Sequence, residues 1–296
     1  MELLTRVLKG IKKYAIAYLF ILPNFVFFFL FFLIPFIWVI WLSFHGGGVL
    51  GGYRFAGLDN YQAVSRDPIF WKAIYNTFCY LAIILAAIFT IPLAIAILLN
   101  HVSRLKGFYR AAIFFPQLSS VVVASIIWLY LLYPTVGPIS MVVRLFGFTP
   151  PNWLGSPWLA LPTVAAVEYW RSTGFYVLLF FAGLQNISPE LYEAAMIDGA
   201  NTWQKFLYIT VPSLRPILLF ALVMGTIWNI QLFDSVYILT RGGPGYATTT
   251  VVWYIYENAF RWNALGKGAT MSFFLLILTG MLAFIQLKVI GFGREQ

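Results

Sequence analysis

The sequence predicts an all-α, polytopic integral membrane protein. Three observations carry that expectation. The chain of 296 residues is 61% hydrophobic and only 10% charged, whereas a soluble domain carries about 25% charged residues. Its apolar residues fall into runs as long as the roughly 20 residues a helix needs to cross the hydrocarbon core. Its Lys and Arg are unevenly shared between alternate connections, as the positive-inside rule requires. That bias accounts for the net charge of +9 without nucleic acid as a partner.

Six spans are expected, at residues 15–44, 76–99, 111–133, 159–184, 216–239 and 269–290, within one membrane domain covering 1–296. The first follows Arg6, Lys9, Lys12 and Lys13. Its apolar run is too long for a signal peptide and has no small-residue cleavage site after it, so it reads as a retained helix, bent at Pro23 or Pro35. Asp67 and Pro68 form a helix start, and Ile69, Phe70, Trp71 and Ile74 suggest an interfacial helix leading into the second span. The third follows the basic loop of Arg104, Lys106 and Arg110. Residues 134–157 and the RGGPG at 241–245 are turn-rich connections after the third and fifth spans. The N-terminus, the loop at 104–110, the segment 188–216 and the C-terminal tail share eleven basic residues, against seven on the opposite side. That side is therefore expected to be cytoplasmic, with both termini.

Composition argues against catalysis. No phosphate-binding loop, Ser/His/Asp set or Cys/His set is evident in the sequence. Cys79 lies alone in an apolar run, and His45 and His101 lie in different loops without metal-ligand spacing. An energy source such as ATP would have to be bound by another polypeptide.

Polar residues inside spans are costly and rarely face lipid. Glu168 and Arg171 lie three residues apart, on one helical face. They read either as a salt bridge that fixes packing or as part of a substrate path, and the two roles can coexist. Tyr169, Trp170, Ser172 and Phe175 flank them, and the fifth span adds Trp228, Asn229, Gln231 and Asp234. Aromatic faces beside amide and carboxylate groups suit a polyhydroxylated ligand.

The segment 188–216 is a polar island between two apolar runs. Ser188 can cap a helix with Pro189 at its first position, Glu190 and Glu193 complement the dipole, and Gly199 provides a left-handed stop. Asn201 with Gln204 restarts a second helix, which Pro212 is expected to end. A DNA-reading helix-turn-helix, a simple surface hairpin and a helix that docks in a partner's groove all fit this grammar. The placement between spans and the single lysine of the second helix argue against DNA.

EAAMIDGA at 193–200 followed by ITVP at 209–212 resembles the EAA loop of permease subunits of binding-protein-dependent ABC importers. GLDNY at 57–61, Asp67-Pro68, Asn76-Thr77, Phe115-Pro116, GLQ at 183–185 and LTRGGP at 239–244 extend the resemblance over nearly the whole chain. They are most similar to the carbohydrate-importer branch and to the first of its two permeases, the maltose-transporter type. Maltose-type subunits can carry additional N-terminal spans and a large outer domain; the six spans and modest loops here resemble the shorter sugar permeases.

The resemblance implies a type I ABC importer permease fold in the plasma (inner) membrane of a bacterium or archaeon. It implies a second homologous permease, two ATPase subunits that bind ATP and Mg, and an extracytoplasmic binding protein that delivers a sugar. This chain would hold no cofactor and would not itself be an enzyme. Glu193 and Gly199, with Ala194, Ala195 and Asp198 beside them, would couple to the ATPase. Glu168, Arg171, Ser172, Phe175, Trp228 and Asn229 match positions of the sugar pocket. The alternative is a self-sufficient secondary carrier or channel that uses Glu168 and Arg171 for ion coupling.

Overall fold

The computed structural model describes residues 15–48, 51–102 and 104–290. The basic residues Arg6, Lys9, Lys12 and Lys13 and the C-terminal tail lie outside the described residues. The chain divides into two compact units, residues 1–65 with 258–273, and residues 66–257 with 274–296.

The first unit begins with α1 (Ala15–Phe28), a π-helical turn (Phe29–Leu33) and α2 (Ile34–Ser43). The helix runs through Pro23, and the irregularity falls at the π turn, with Pro35 at the start of α2. A widened turn leaves a carbonyl without its usual donor, which is where a proline, lacking an N–H, is tolerated. Side chains from Tyr18 to Phe28 of α1 are exposed, Phe20 at 81%, as a lipid-facing helix requires. The strands β1 (His45–Gly48) and β2 (Gly52–Phe55) pair antiparallel. Next comes α3 (Asp59–Ser65), whose Asn60 donates from Nδ2 to the carbonyls of Ser43 at 2.9 Å and His45 at 3.0 Å. α15 (Leu265–Ile290) begins in this unit. There Thr270 donates to the Ser43 carbonyl at 3.3 Å, and a Cβ on Gly266 would lie 1.9 Å from the His45 oxygen.

The second unit is built on α4 (Pro68–His101) and α8 (Ala160–Gln185). α4 has 34 residues, about 51 Å of helix. The interfacial helix and second span expected from the sequence are therefore one continuous element. Asp67 caps it, with Oδ1 accepting from Ile69 N at 2.8 Å and Phe70 N at 3.3 Å, while Oδ2 accepts from Tyr254 Oη at 2.6 Å. The α4–α8 interface buries Tyr80, Ile84, Ile88, Tyr176, Val177 and Phe180. α8 packs closely on α5 (Lys106–Phe114), since a Cβ on Gly174 would lie 2.4 Å from the Ile113 oxygen.

The expected third span is a broken one. α5 and the 3-10 turn Phe115–Leu118 meet α6 (Val121–Leu131) at a bend of 93°. Pro116 tightens the turn, and Ser119 and Ser120 take extended backbone angles. α7 (Pro138–Leu145) follows in the turn-rich connection.

The polar island forms α9 (Pro189–Ile197), α10 (Thr202–Lys205), a π turn (Phe206–Thr210) and α11 (Val211–Ser213). Ser188 makes no side-chain cap bond. Pro212 does not end the helix; it sits at the start of α11, directly after the π turn, where its missing N–H is no loss. The expected fifth span is likewise interrupted. α12 (Arg215–Ile230) stops before residues 231–233, and α13 (Asp234–Leu239) resumes after them. At this break Thr250 Oγ1 donates to the Leu232 carbonyl at 2.8 Å.

The connection after α13 is tightly ordered. Thr248, Thr249 and Thr250 are fully buried, and their hydroxyls bond Gly243 O at 2.7 Å, Gly242 O at 3.0 Å and the Leu232 carbonyl. Asn76 of α4 donates to the carbonyls of Tyr246 at 2.8 Å and Thr249 at 2.9 Å. Thr77 Oγ1 accepts from Val251 N at 3.1 Å, the first residue of α14 (Val251–Tyr256).

Among the described residues, three continuous helical stretches are long and apolar enough to cross a bilayer: Tyr18–Ser43, Pro68–His101 and Leu265–Lys288. The bent pairs Lys106–Leu118 with Val121–Leu131, and Thr202–Ser213 with Arg215–Ile230, add two more if each is one crossing.

Candidate functional site

A cavity of about 260 Å³ opens in the second unit between α8 and the α12–α13 break. Glu168, Arg171, Ser172, Phe175, Trp228 and Asn229, all chosen from the sequence, line it together with Gln231 and Asp234. α8 presents four of the six because positions 168, 171, 172 and 175 recur at helical spacing on one face.

Glu168 is 7% exposed and its carboxylate is fully engaged. Oε2 accepts from Arg171 Nε at 3.1 Å and Nη2 at 3.0 Å, and Oε1 accepts a short hydrogen bond from Ser235 Oγ of α13. Ser125 of α6 extends the chain, 3.2 Å from Ser235 Oγ. The pair therefore fixes three helices around the cavity and still leaves the remaining guanidinium donors to a ligand. Ser172 bonds the Glu168 carbonyl at 2.9 Å. Phe175 and Trp228 meet edge-on, with centroids 5.3 Å apart, and Trp228 is 49% exposed. This forms an aromatic wall with an open face.

Asn229 is less free than its sequence position suggests. Its Oδ1 accepts from Tyr80 Oη at 3.0 Å, and its Nδ2 donates to the Gly225 carbonyl at 2.8 Å. Its amide thus braces α12 against α4. Gln117, by contrast, was not anticipated. It lies on the cavity wall, and its Oε1 is shielded from solvent without a hydrogen-bond partner. Such an acceptor is costly unless something donates to it. Tyr80 and Tyr176 also line the cavity unforeseen. Only the bend at residues 119–120 brings Gln117 here, and nothing in the local sequence pattern marks it. The charged lining groups are Arg171, Glu168 and Asp234, one cation and two anions.

The residues expected to couple lie elsewhere, on α9 and its end. Glu193 and Ala194 are exposed, Ala195 is half-buried, and Asp198 is the exposed C-cap. Gly199 takes φ +77. Gly199 N bonds Met196 O at 3.1 Å and Ala200 N bonds Ala195 O at 2.8 Å, which is the Schellman closure. Asn201 and Gln204 then form a reciprocal capping box at 2.9 and 2.8 Å.

Comparison with known proteins places the chain. Residues 89–291 match the family described as binding-protein-dependent transport system inner membrane component. The chain belongs to this family. It is 36% identical to the arabinooligosaccharides transport system permease protein AraP of Bacillus subtilis (strain 168), over 95% of this chain and 90% of that one. It is 33% identical to the lactose transport system permease protein LacF of Rhizobium radiobacter, covering 94% and 95%. The trehalose/maltose transport system permease protein MalF of Thermococcus litoralis is 32% identical, covering 96% of both. A solved bacterial ABC transporter involved in the import of the acidic polysaccharide alginate contains a chain that superposes with a TM-score of 0.85 at 22% identity, over 96% of this chain and 98% of that one. The fold is the type I ABC importer permease fold, and this family member is a multi-pass membrane protein.

Proposed function

We propose that this permease carries an uncharged sugar across the plasma (inner) membrane of its cell, with both termini cytoplasmic. It works with a second permease and an extracytoplasmic binding protein. In this reading α8 completes the six crossings of a single transport domain, and two separate ATPase subunits bind ATP and Mg. The observation that carries the reading is the cavity. An open Trp228 face stacks on a sugar's C–H surface, while Gln117, Gln231, Asp234 and the spare donors of Arg171 meet its hydroxyls. The names of AraP, LacF and MalF, each a sugar system, support the substrate class. Acidic lining groups outnumber the single cation, so a uronate oligosaccharide would meet repulsion that a neutral sugar does not.

α9 couples transport to ATP. Its exposed face, with Glu193 and Ala194, lies in an ATPase groove, and Asp198 and Gly199 end it sharply. A self-sufficient carrier that used Glu168 and Arg171 for ion coupling would need that carboxylate free to exchange protons, but both oxygens of Glu168 are held by Arg171 and Ser235.

The experiment is co-purification from the native membrane, followed by reconstitution and uptake against neutral and uronate sugars. ATP-dependent uptake of a neutral sugar is expected. Uptake by this chain alone, driven by an ion gradient and indifferent to ATP, would overturn the proposal.

A further inference from the structure

A second cavity, of about 360 Å³, lies where the polar island meets the ends of α4 and α8. Its walls are Ile97, Asn100 and His101 of α4, Leu184 of α8, Tyr192 of α9, Thr202 and Lys205 of α10, and Phe206 and Thr210 of the π turn. Its size falls within the range of small-molecule sites, about 300–1,000 Å³. Its chemistry is one-sided. No carboxylate lines it among the described residues, whereas Lys205 contributes an ammonium and Thr202 a hydroxyl. His101 Nδ1 lies 2.8 Å from the Ile97 carbonyl. A carbonyl can only accept, so Nδ1 carries the proton, and on the neutral ring Nε2 is left as an acceptor for an O–H of a ligand. Lys106 Nζ donates to the carbonyl of the wall residue Asn100 at 3.2 Å, so a second ammonium stands beside that residue. Ile97, Leu184 and Phe206 supply an apolar floor.

We infer that this cavity binds a phosphate-bearing ligand, with the phosphate at Lys205 and Thr202, a hydroxyl of the ligand donating to His101 Nε2, and its carbon body on the floor. Clustered ammonium and hydroxyl donors without a competing carboxylate suit phosphate, and basic pockets between membrane helices take phosphate headgroups. The walls come from two mechanically different parts. α4 and α8 form the helical frame, whereas α9, α10 and the π turn belong to the island, held together by Tyr192 Oη and Thr210 Oγ1 at 2.9 Å. A bound phosphate ties the island to the frame. It therefore favours whichever transport state keeps the cavity open, in proportion to its affinity difference between states. This regulatory consequence rests on the coupling role proposed above; binding itself does not.

The test uses the assembled transporter in nanodiscs. One arm compares phosphatidylglycerol with phosphatidylcholine discs by native mass spectrometry of retained lipid. The other adds radiolabelled glucose 6-phosphate to phosphatidylcholine discs and measures binding. Saturable binding in one arm identifies the source as lipid or free metabolite. The double variant Lys205→Gln, His101→Gln is expected to weaken it at least about tenfold. Lys205→Gln alone, at a half-buried surface position, gives an intermediate loss if the double variant proves unstable. Absence of binding in both arms, unchanged binding by the variants, or binding only to the isolated chain would each overturn the inference. A change in ATPase rate on binding reads the regulatory consequence separately.

Discussion

Replacing Arg171 by Met while keeping Glu168 leaves a carboxylate that is 7% exposed without its countercharge. Breaking a buried pair from one side costs about 3–5 kcal/mol. Ser235 still donates to Oε1 and the Arg171 side chain is 20% exposed, so we expect the lower end, about 3 kcal/mol. Glu168→Gln alone should cost less, about 2 kcal/mol, because the stranded guanidinium reaches the cavity and its water. The double variant Glu168→Gln, Arg171→Met removes both charges and keeps an acceptor for Ser235. Its loss should be about 1–2 kcal/mol, well short of the sum of about 5 for independent sites. The assay is heat challenge of the purified complex with the surviving monodisperse fraction read by size exclusion, beside ATP-driven uptake. Additive losses across the cycle would refute the claim that the pair acts as one structural unit. In a stable double variant uptake should still require ATP and stay indifferent to an ion gradient, with a raised KM because Arg171 lines the cavity; gradient-dependent uptake by the parent complex that the double variant loses would refute the structural reading of the pair.

Gly199→Val should strain the backbone by about 1–2 kcal/mol at φ +77; its Cβ would meet open space, so insertion should persist while ATPase co-purification falls. Gln117→Leu replaces an unpartnered acceptor, so stability should hold or rise by about 1 kcal/mol while the KM for sugar uptake rises; an unchanged KM would remove Gln117 from the cavity's recognition set. Trp228→Ala should raise KM without loss of the assembled complex, whereas Asn229→Ala should cost about 1–3 kcal/mol because it leaves the buried Tyr80 hydroxyl without its acceptor. A heat challenge that fails to separate these two variants would contradict their assigned roles.

What was legible in the sequence followed from local rules. α8 reads as one helix-length run interrupted by charge only at Glu168 and Arg171, and the helix Ala160–Gln185 starts and ends one residue after the expected 159–184. Glu168 and Arg171 stood out because charge inside a span demands a partner. Gly199 and the Asn201–Gln204 box were readable because caps are written within four or five residues. The breaks were harder. Residues 231–233 contain neither Gly nor Pro, and the carbonyl released there is answered by Thr250, eighteen residues away. Pro212 misled because a π turn makes its missing N–H harmless. Tyr80 and Gln117 reach the cavity only through tertiary packing, so no periodicity announces them.

The stapling of residues 240–251 to the start of α4 has a consequence for biogenesis. Asn76 finds its acceptor carbonyls 170 and 173 residues further along the chain. At about 5–20 residues per second of synthesis, α4 exists for roughly ten to thirty seconds before those carbonyls have been made. During that interval an amide and a threonine hydroxyl stand at one end of a long apolar helix with their eventual partners absent. Insertion of α4 is therefore separated in time from its final bonding, and closure of this knot can come only after residue 251 has been made, with α15 still to follow.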